Sequence, residues 1–117
     1  MTLHEAQQKV DEWIRQYGVR YFGALTNLAL LMEETGELAR IIARDYGEQS
    51  TKPEEDNKSL ADEMADVFFV LICLANQTGV DLEKAFEANL AKKTDRDHKR
   101  HLENPKIGTS GNFPLKS

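Results

Sequence analysis

Apolar residues recur at helical intervals along most of the chain, and no stretch keeps the two-residue alternation of a half-buried strand. Thr2-Leu3-His4-Glu5 has capping-box spacing, and Leu3, Ala6, Val10, Trp13, Ile14 and Tyr17 follow at helical intervals and predict a first helix ending at Gly18. After a turn-like stretch from Gly18 to Gly23, a second helix is expected from about Ala24 to Tyr46, stopped by Gly47. Glu48 to Lys58 is polar, contains Pro53 and reads as a flexible connection. Ser59 and Asp62 then stand at capping spacing, and a third helix runs through the apolar block Val67 to Ala75 until Gly79. Asp81 can cap a fourth helix starting near Leu82, which carries Leu82, Ala85, Phe86 and Leu90 on one side and is strongly charged from Lys92 onward.

The expected fold is therefore all-α: a four-helix bundle over residues 1–103, followed by an irregular tail, 104–117, that holds Pro105, Gly108, Gly111 and Pro114. A length of 117 residues suits one domain with a modest core. The nine-residue apolar block covers every side of the third helix, more than a lone short bundle can bury, so a homo-oligomer is expected. That block falls well short of the roughly 20 apolar residues of a membrane span, and the first residues lack the pattern of a secretory signal. Cys73, the single cysteine, lies inside the block as a small core residue; without a disulfide framework, a reducing, cytoplasmic compartment is expected. The net charge of −5 opposes attraction to a nucleic-acid polymer. It leaves room for a single nucleotide, because divalent cations neutralise carboxylates and phosphates together.

Candidate chemistry sits in two acid pairs. Glu34 and Glu37 fall three apart on the second helix, flanked by Leu30, Leu31, Leu38 and Ile41; Glu63 and Asp66 repeat the spacing on the third, where Asp66 leads into Val67-Phe68-Phe69-Val70 and is expected to be buried. Desolvating an ionised carboxylate costs several kcal/mol unless a cation or donors accompany it. Antiparallel packing of the two helices would gather Glu34, Glu37, Glu63 and Asp66 into a set of hard oxygen ligands, which suits magnesium better than zinc or a softer metal. The plainer alternative is a solvated acidic face, with Glu33 and Glu37 paired to Arg40 and Arg44 and with Asp62 and Glu63 favouring a helix start. It leaves Glu34 and Asp66 without a role.

Glu33-Glu34-Thr35-Gly36-Glu37 followed by Glu63-Met64-Ala65-Asp66 resembles the two-part motif of the MazG-type nucleotide pyrophosphohydrolases. Flanking segments agree with it: Tyr21-Phe22, Gly36-Glu37-Leu38-Ala39, and the run from Asp66-Val67-Phe68 to Leu74-Ala75-Asn76, so that the likeness covers roughly residues 3–96. The resemblance implies an all-helical enzyme that hydrolyses a nucleoside triphosphate, NTP or dNTP, to the monophosphate and pyrophosphate, works as a homodimer or homotetramer, and binds Mg2+ through Glu34, Glu37, Glu63 and Asp66. Glu33 matches the leading acid of the motif but points about 100° from Glu34 around the helix, which leaves it to orient a ligand or a water. Either Glu34 or Glu37 would accept the proton of the attacking water.

One departure concerns the last helix, where the family often offers Lys, then Asn, then Arg, and this chain has Asn89, Lys93 and Arg96. Lys93 and Arg96, with Lys92, are candidates for the β- and γ-phosphates, although a charged helix end can simply be solvated. Asn76 is a candidate contact to base or ribose, or else a helix cap; Trp13, Tyr21 and Phe22 either stack on a nucleobase or belong to the core. His98 and His101 lie in highly charged surroundings and are left outside the site. Competing functions are a specialised dUTP, dCTP or phosphoribosyl-ATP pyrophosphatase with the same metal chemistry, and a noncatalytic helical interaction module. A di-iron bundle ranks last, since no Glu-x-x-His pair occurs.

Overall fold

Local signals set the ends of the helices. In the computed structural model, which describes residues 1–48 and 59–107, α1 spans Leu3–Trp13 and opens with a complete capping box between Thr2 and Glu5. The helical path continues to Gly18, but Ile14–Gly18 is wound as a π-helical turn. Helix α2 covers Ala24–Tyr46 and ends against Gly47, and α3 covers Leu60–Thr78 with the Ser59 hydroxyl accepting from the Asp62 N–H. Gly79 ends α3 in the left-handed conformation, φ 73°, where a side chain would be disfavoured. Helix α4 covers Leu82–Leu102, and beyond it Asn104 to Ile107 form a turn in which the Asn104 side chain accepts from the Lys106 N–H. Among the described residues there is no β-strand. Most of the expected connection, 49–58, and of the tail, 108–117, lies outside the described residues.

The chain divides into two units, Met1–Leu82 and Glu83–Ser117. In the first, α2 packs on α3 and α1 packs on α3. The α2–α3 pair is antiparallel: Asn27 near the start of α2 bonds Gln77 near the end of α3, and Glu34 in mid-α2 meets Glu63 and Asp66 early in α3. Seven-residue spacing, which nearly completes two helical turns, aligns Asn27, Glu34 and Ile41 along α2 and Glu63, Val70 and Gln77 along α3. The buried apolar residues are small or aliphatic: Ala6, Ile14, Ile41, Val70, Ile72, Cys73 and Ala75. Phe22, Leu25, Met32, Phe68 and Leu71 remain exposed in the single chain. No single helix among the described residues is long and apolar enough to cross a membrane. The second unit is described by α4, an exposed helix on which Asn89, Lys93 and Arg96 share one face through i, i+4 and i+7 spacing.

One backbone feature stands apart. Val19, directly after the π-helical turn, has φ 70° and ψ −56°, and the Arg20 N–H donates to the Gly18 carbonyl at 2.8 Å. This is a γ-turn of the rarer, strained hand, and in a β-branched residue such a conformation costs about 1–3 kcal/mol.

Candidate active site

The α2–α3 seam carries the carboxylates. Glu34, Glu63 and Asp66 each offer an oxygen within 4.8 Å of the others. Glu63 is 6 % exposed, and its Oε2 atom is buried with no hydrogen-bond partner among the described residues. Burial, and after it the negative charges of Asp66, Glu63, Glu33 and Glu37, push the Glu34 carboxyl above the ordinary carboxylate range. Glu37 is half-buried one turn beyond Glu34 on the same face, whereas Glu33 is exposed. The expected burial of Asp66 is corrected: Asp66 is exposed, and Glu63 is the deeply buried acid. Three residues advance a helix by 300°, so Asp66 stands about 60° off the buried line that runs from Glu63 to Val70, far enough to reach solvent.

These residues fit a hard divalent cation. A buried carboxylate oxygen without a donor is costly, and two further carboxylates at this range add repulsion that water alone relieves poorly. The 4.8 Å limit on their separation is near the span of about 4.2 Å between opposite oxygen ligands of magnesium. All the donor atoms are carboxylate oxygens, and Cys73 is buried elsewhere, among the apolar residues.

One helical turn toward the start of α2 lies a pocket of about 320 Å³, with Trp13, Tyr21, Phe22, Asn27, Leu30 and Phe69 in its walls. Leu30 precedes Glu34 by one turn, and Val70, also in the wall, follows Asp66 by one turn, about 6 Å along each helix. Trp13 meets Phe69 edge to face with ring centroids 5.6 Å apart. Beside this pocket a polar network joins α1, α3 and the segment that precedes α2. The Tyr21 hydroxyl donates to Asp11 Oδ1 at 2.6 Å and accepts from Asn76 Nδ2 at 3.0 Å. Asn76 Nδ2 also donates to the Gln7 carbonyl, while Asn76 Oδ1 accepts from Gln7 Nε2 at 3.0 Å. Gln7 in turn donates to the Val80 carbonyl and accepts from the Leu82 N–H, and so holds the turn that leads into α4.

Asn76, a candidate substrate contact, thus has its amide group and oxygen engaged inside the fold. Burial, followed by the contact with Asp11, raises the Tyr21 pKa to about 12, so the phenol remains a donor at neutral pH. The Asp11 carboxyl is held below its usual range by hydrogen bonds from Arg15 and then Tyr21. On α4, Asn89 and Lys93 are exposed, and Arg96 forms two hydrogen bonds with the neighbouring Asp97, at 2.8 and 3.0 Å.

Sequence reasoning passed over Gln7, Asn27 and Gln77. Gln7 and Asn27 are polar residues on otherwise apolar helix faces, and both are buried; Asn27, only 4 % exposed, donates to Gln77 Oε1 at 2.8 Å. The detectable signal was that interruption of the apolar stripe, repeated on α2 seven residues later at Glu34.

Known proteins share this fold. The family model for the MazG nucleotide pyrophosphohydrolase domain matches residues 22–101, a span that holds both acid pairs. YpjD of Bacillus subtilis is 43 % identical over 99 residues, covering 85 % of this chain and 89 % of YpjD. YvdC of the same organism is 33 % identical over 102 residues, covering 82 % of this chain and 96 % of YvdC. The crystal structure of B. subtilis YpjD superposes with a TM-score of 0.73 at 40 % identity, over 83 % of this chain and 97 % of that one. That of a Bacillus-conserved MazG protein, described as a nucleotide pyrophosphohydrolase, does so with a TM-score of 0.69 at 39 % identity, over 86 % and 97 %. With paired acids on an antiparallel helix seam and these relatives covering most of its length, the chain belongs to the MazG nucleotide pyrophosphohydrolase family, a family of hydrolases.

Proposed function

We propose that the protein hydrolyses a nucleoside or deoxynucleoside triphosphate, with magnesium, to the monophosphate and pyrophosphate. The observation that carries this reading is the buried Oε2 of Glu63, without a hydrogen-bond partner among the described residues, within a carboxylate trio. Glu34, Glu63 and Asp66, joined by Glu37, would hold the ion. Magnesium, when bound there, supplies positive charge that favours ionisation of water and offsets the charge developing on the phosphate oxygens. Glu34 or Glu37 takes the proton as the water oxygen bonds to the α-phosphorus and the bond from that phosphorus to the α–β bridging oxygen breaks. Glu33 orients this water or a ligand from the exposed side. Lys93 and Arg96, with Asn89 on the same face of α4, contact the outer phosphates.

The base lies in the pocket beside the acids, where Trp13 and Phe22 offer ring faces. Asn76 serves the nucleotide by fixing Tyr21. Two or four copies bury the apolar side chains exposed on α2 and α3, Leu25, Met32, Phe68 and Leu71 among them.

The test is a panel of NTPs and dNTPs, including dUTP, dCTP and phosphoribosyl-ATP, incubated with magnesium and scored for monophosphate and pyrophosphate. Wild type is expected to release both in equal amounts, while folded E34Q and D66N release neither. Orthophosphate as product, or unchanged turnover in both variants, would overturn the reading.

A further inference from the structure

The wall of the aromatic pocket between α1 and α2 is the short strap from Gly18 to Phe22, of which Gly18, Arg20, Tyr21 and Phe22 line the cavity. Its first part is strained at Val19, whose side chain is 85 % exposed and so gains little packing in return. Folding alone would be served better by glycine there. Its second part is tethered from three helices: Asp11 of α1 and Asn76 of α3 hold the Tyr21 hydroxyl, while Asn27 of α2 and Gln77 of α3 donate to the Phe22 carbonyl. A strained turn persists only where its surroundings over-determine it, and here the surroundings are polar side chains, one of which, Asn27, also lines the pocket.

We propose that Tyr21 is a positioning residue: its tether to Asp11 and Asn76 holds the strained strap against the aromatic pocket and thereby sets how tightly the nucleotide's heteroaromatic ring is gripped. This rests on the function proposed above and adds the element that governs ring affinity. Without the tether, Val19 relaxes toward negative φ and carries the following residues away from the cavity. The acids lie one turn away on α2 and α3, outside the strap, so the loss falls on binding and much less on the chemical step.

Trp13, the only tryptophan in the chain, lines the pocket and reports its occupancy by fluorescence. The experiment titrates the full chain with the α,β-methylene analogues of ATP, GTP, CTP and UTP in magnesium, and measures KM and kcat for the matching triphosphates. Y21F, which removes both hydrogen bonds of the Tyr21 hydroxyl, should raise Kd and KM by at least about tenfold, with kcat within about twofold of wild type. V19G/Y21F, in which the turn is no longer strained, should recover most of that loss, a rescue that a merely structural role for Tyr21 would not produce. Wild-type Kd and KM in Y21F, or no recovery in V19G/Y21F, would overturn the strap's role. Should Y21F not fold, D11N must show the same split between KM and kcat, and wild-type behaviour in D11N would overturn the proposal equally. If wild type releases no pyrophosphate from any nucleotide, the underlying function falls and the strap's role with it. Pyrophosphate release by a wild type whose Trp13 fluorescence ignores all four analogues removes the strap's role alone.

Discussion

Replacing Glu63 by glutamine should stabilise the protein in chelator and remove its response to magnesium. In the metal-free protein the Glu63 carboxylate is buried, has one oxygen without a partner among the described residues, and shares a 4.8 Å neighbourhood with Glu34 and Asp66. For unit charges at that limiting separation, repulsion is about 3.5 kcal/mol at an effective dielectric constant near 20 and about 0.9 kcal/mol in water. Asp66 is exposed and its charge is screened by water, so the lower half of that range applies. Glutamine fills nearly the same volume without the charge, and a gain of roughly 1–2 kcal/mol, or about 4–8 °C in Tm, is expected in EDTA. With magnesium at a hundred times its Kd, wild type should gain about 2.7 kcal/mol and E63Q far less, so that the order of the two melting temperatures closes or reverses. Thermal melts followed by circular dichroism, with EDTA and with magnesium, give all four values. An E63Q protein that melts below wild type by the same margin in both conditions would show that Glu63 is held by contacts other than a cation, and would refute the reasoning.

Other consequences follow from the same geometry. Because Glu34 holds its proton more tightly folded than unfolded, its ionisation costs stability; in chelator, Tm should fall as pH rises from the unfolded glutamate value of about 4.3 through the higher folded one, and E34Q should flatten that part of the curve. Ile72 is 2 % exposed, and I72A should lower stability by about 2–5 kcal/mol in urea denaturation; a loss below 1 kcal/mol would mean that the α3 core is not packed as described. At Gly79 an added Cβ meets nothing within 4 Å, so G79A should cost only the left-handed backbone penalty of about 1–2 kcal/mol, and G79N less. A cost well above that range in the same denaturation assay would point to steric contact at the α3 terminus.

Helix ends were legible wherever the signal is local. Thr2 with Glu5, Ser59 with Asp62, and the glycines at 47 and 79 act within a few residues of themselves, and each marks a boundary of the fold. The acid pairs were legible for the same reason, since spacing of three on a helix survives whatever the helix packs against. Their relative burial was not, because it depends on how α2 and α3 rotate against each other: Glu63 turns into the seam and Asp66 toward solvent. The polar network was hidden by distance along the chain. Gln7 meets Asn76 across 69 positions and Asn27 meets Gln77 across 50, and no local pattern pairs them. Val19 illustrates a third limit, since its residue type argues against the conformation it adopts and only tertiary tethers impose it.

Electron paramagnetic resonance of Mn2+, standing in for magnesium, read with and without an α,β-methylene triphosphate, tests most directly whether Glu34, Glu63 and Asp66 gather round a divalent ion. Saturable binding by wild type, weakened by at least about tenfold in each of E34Q, E63Q and D66N, is the predicted result. Binding that is equally strong in all three variants, or absent from wild type in both conditions, would contradict it.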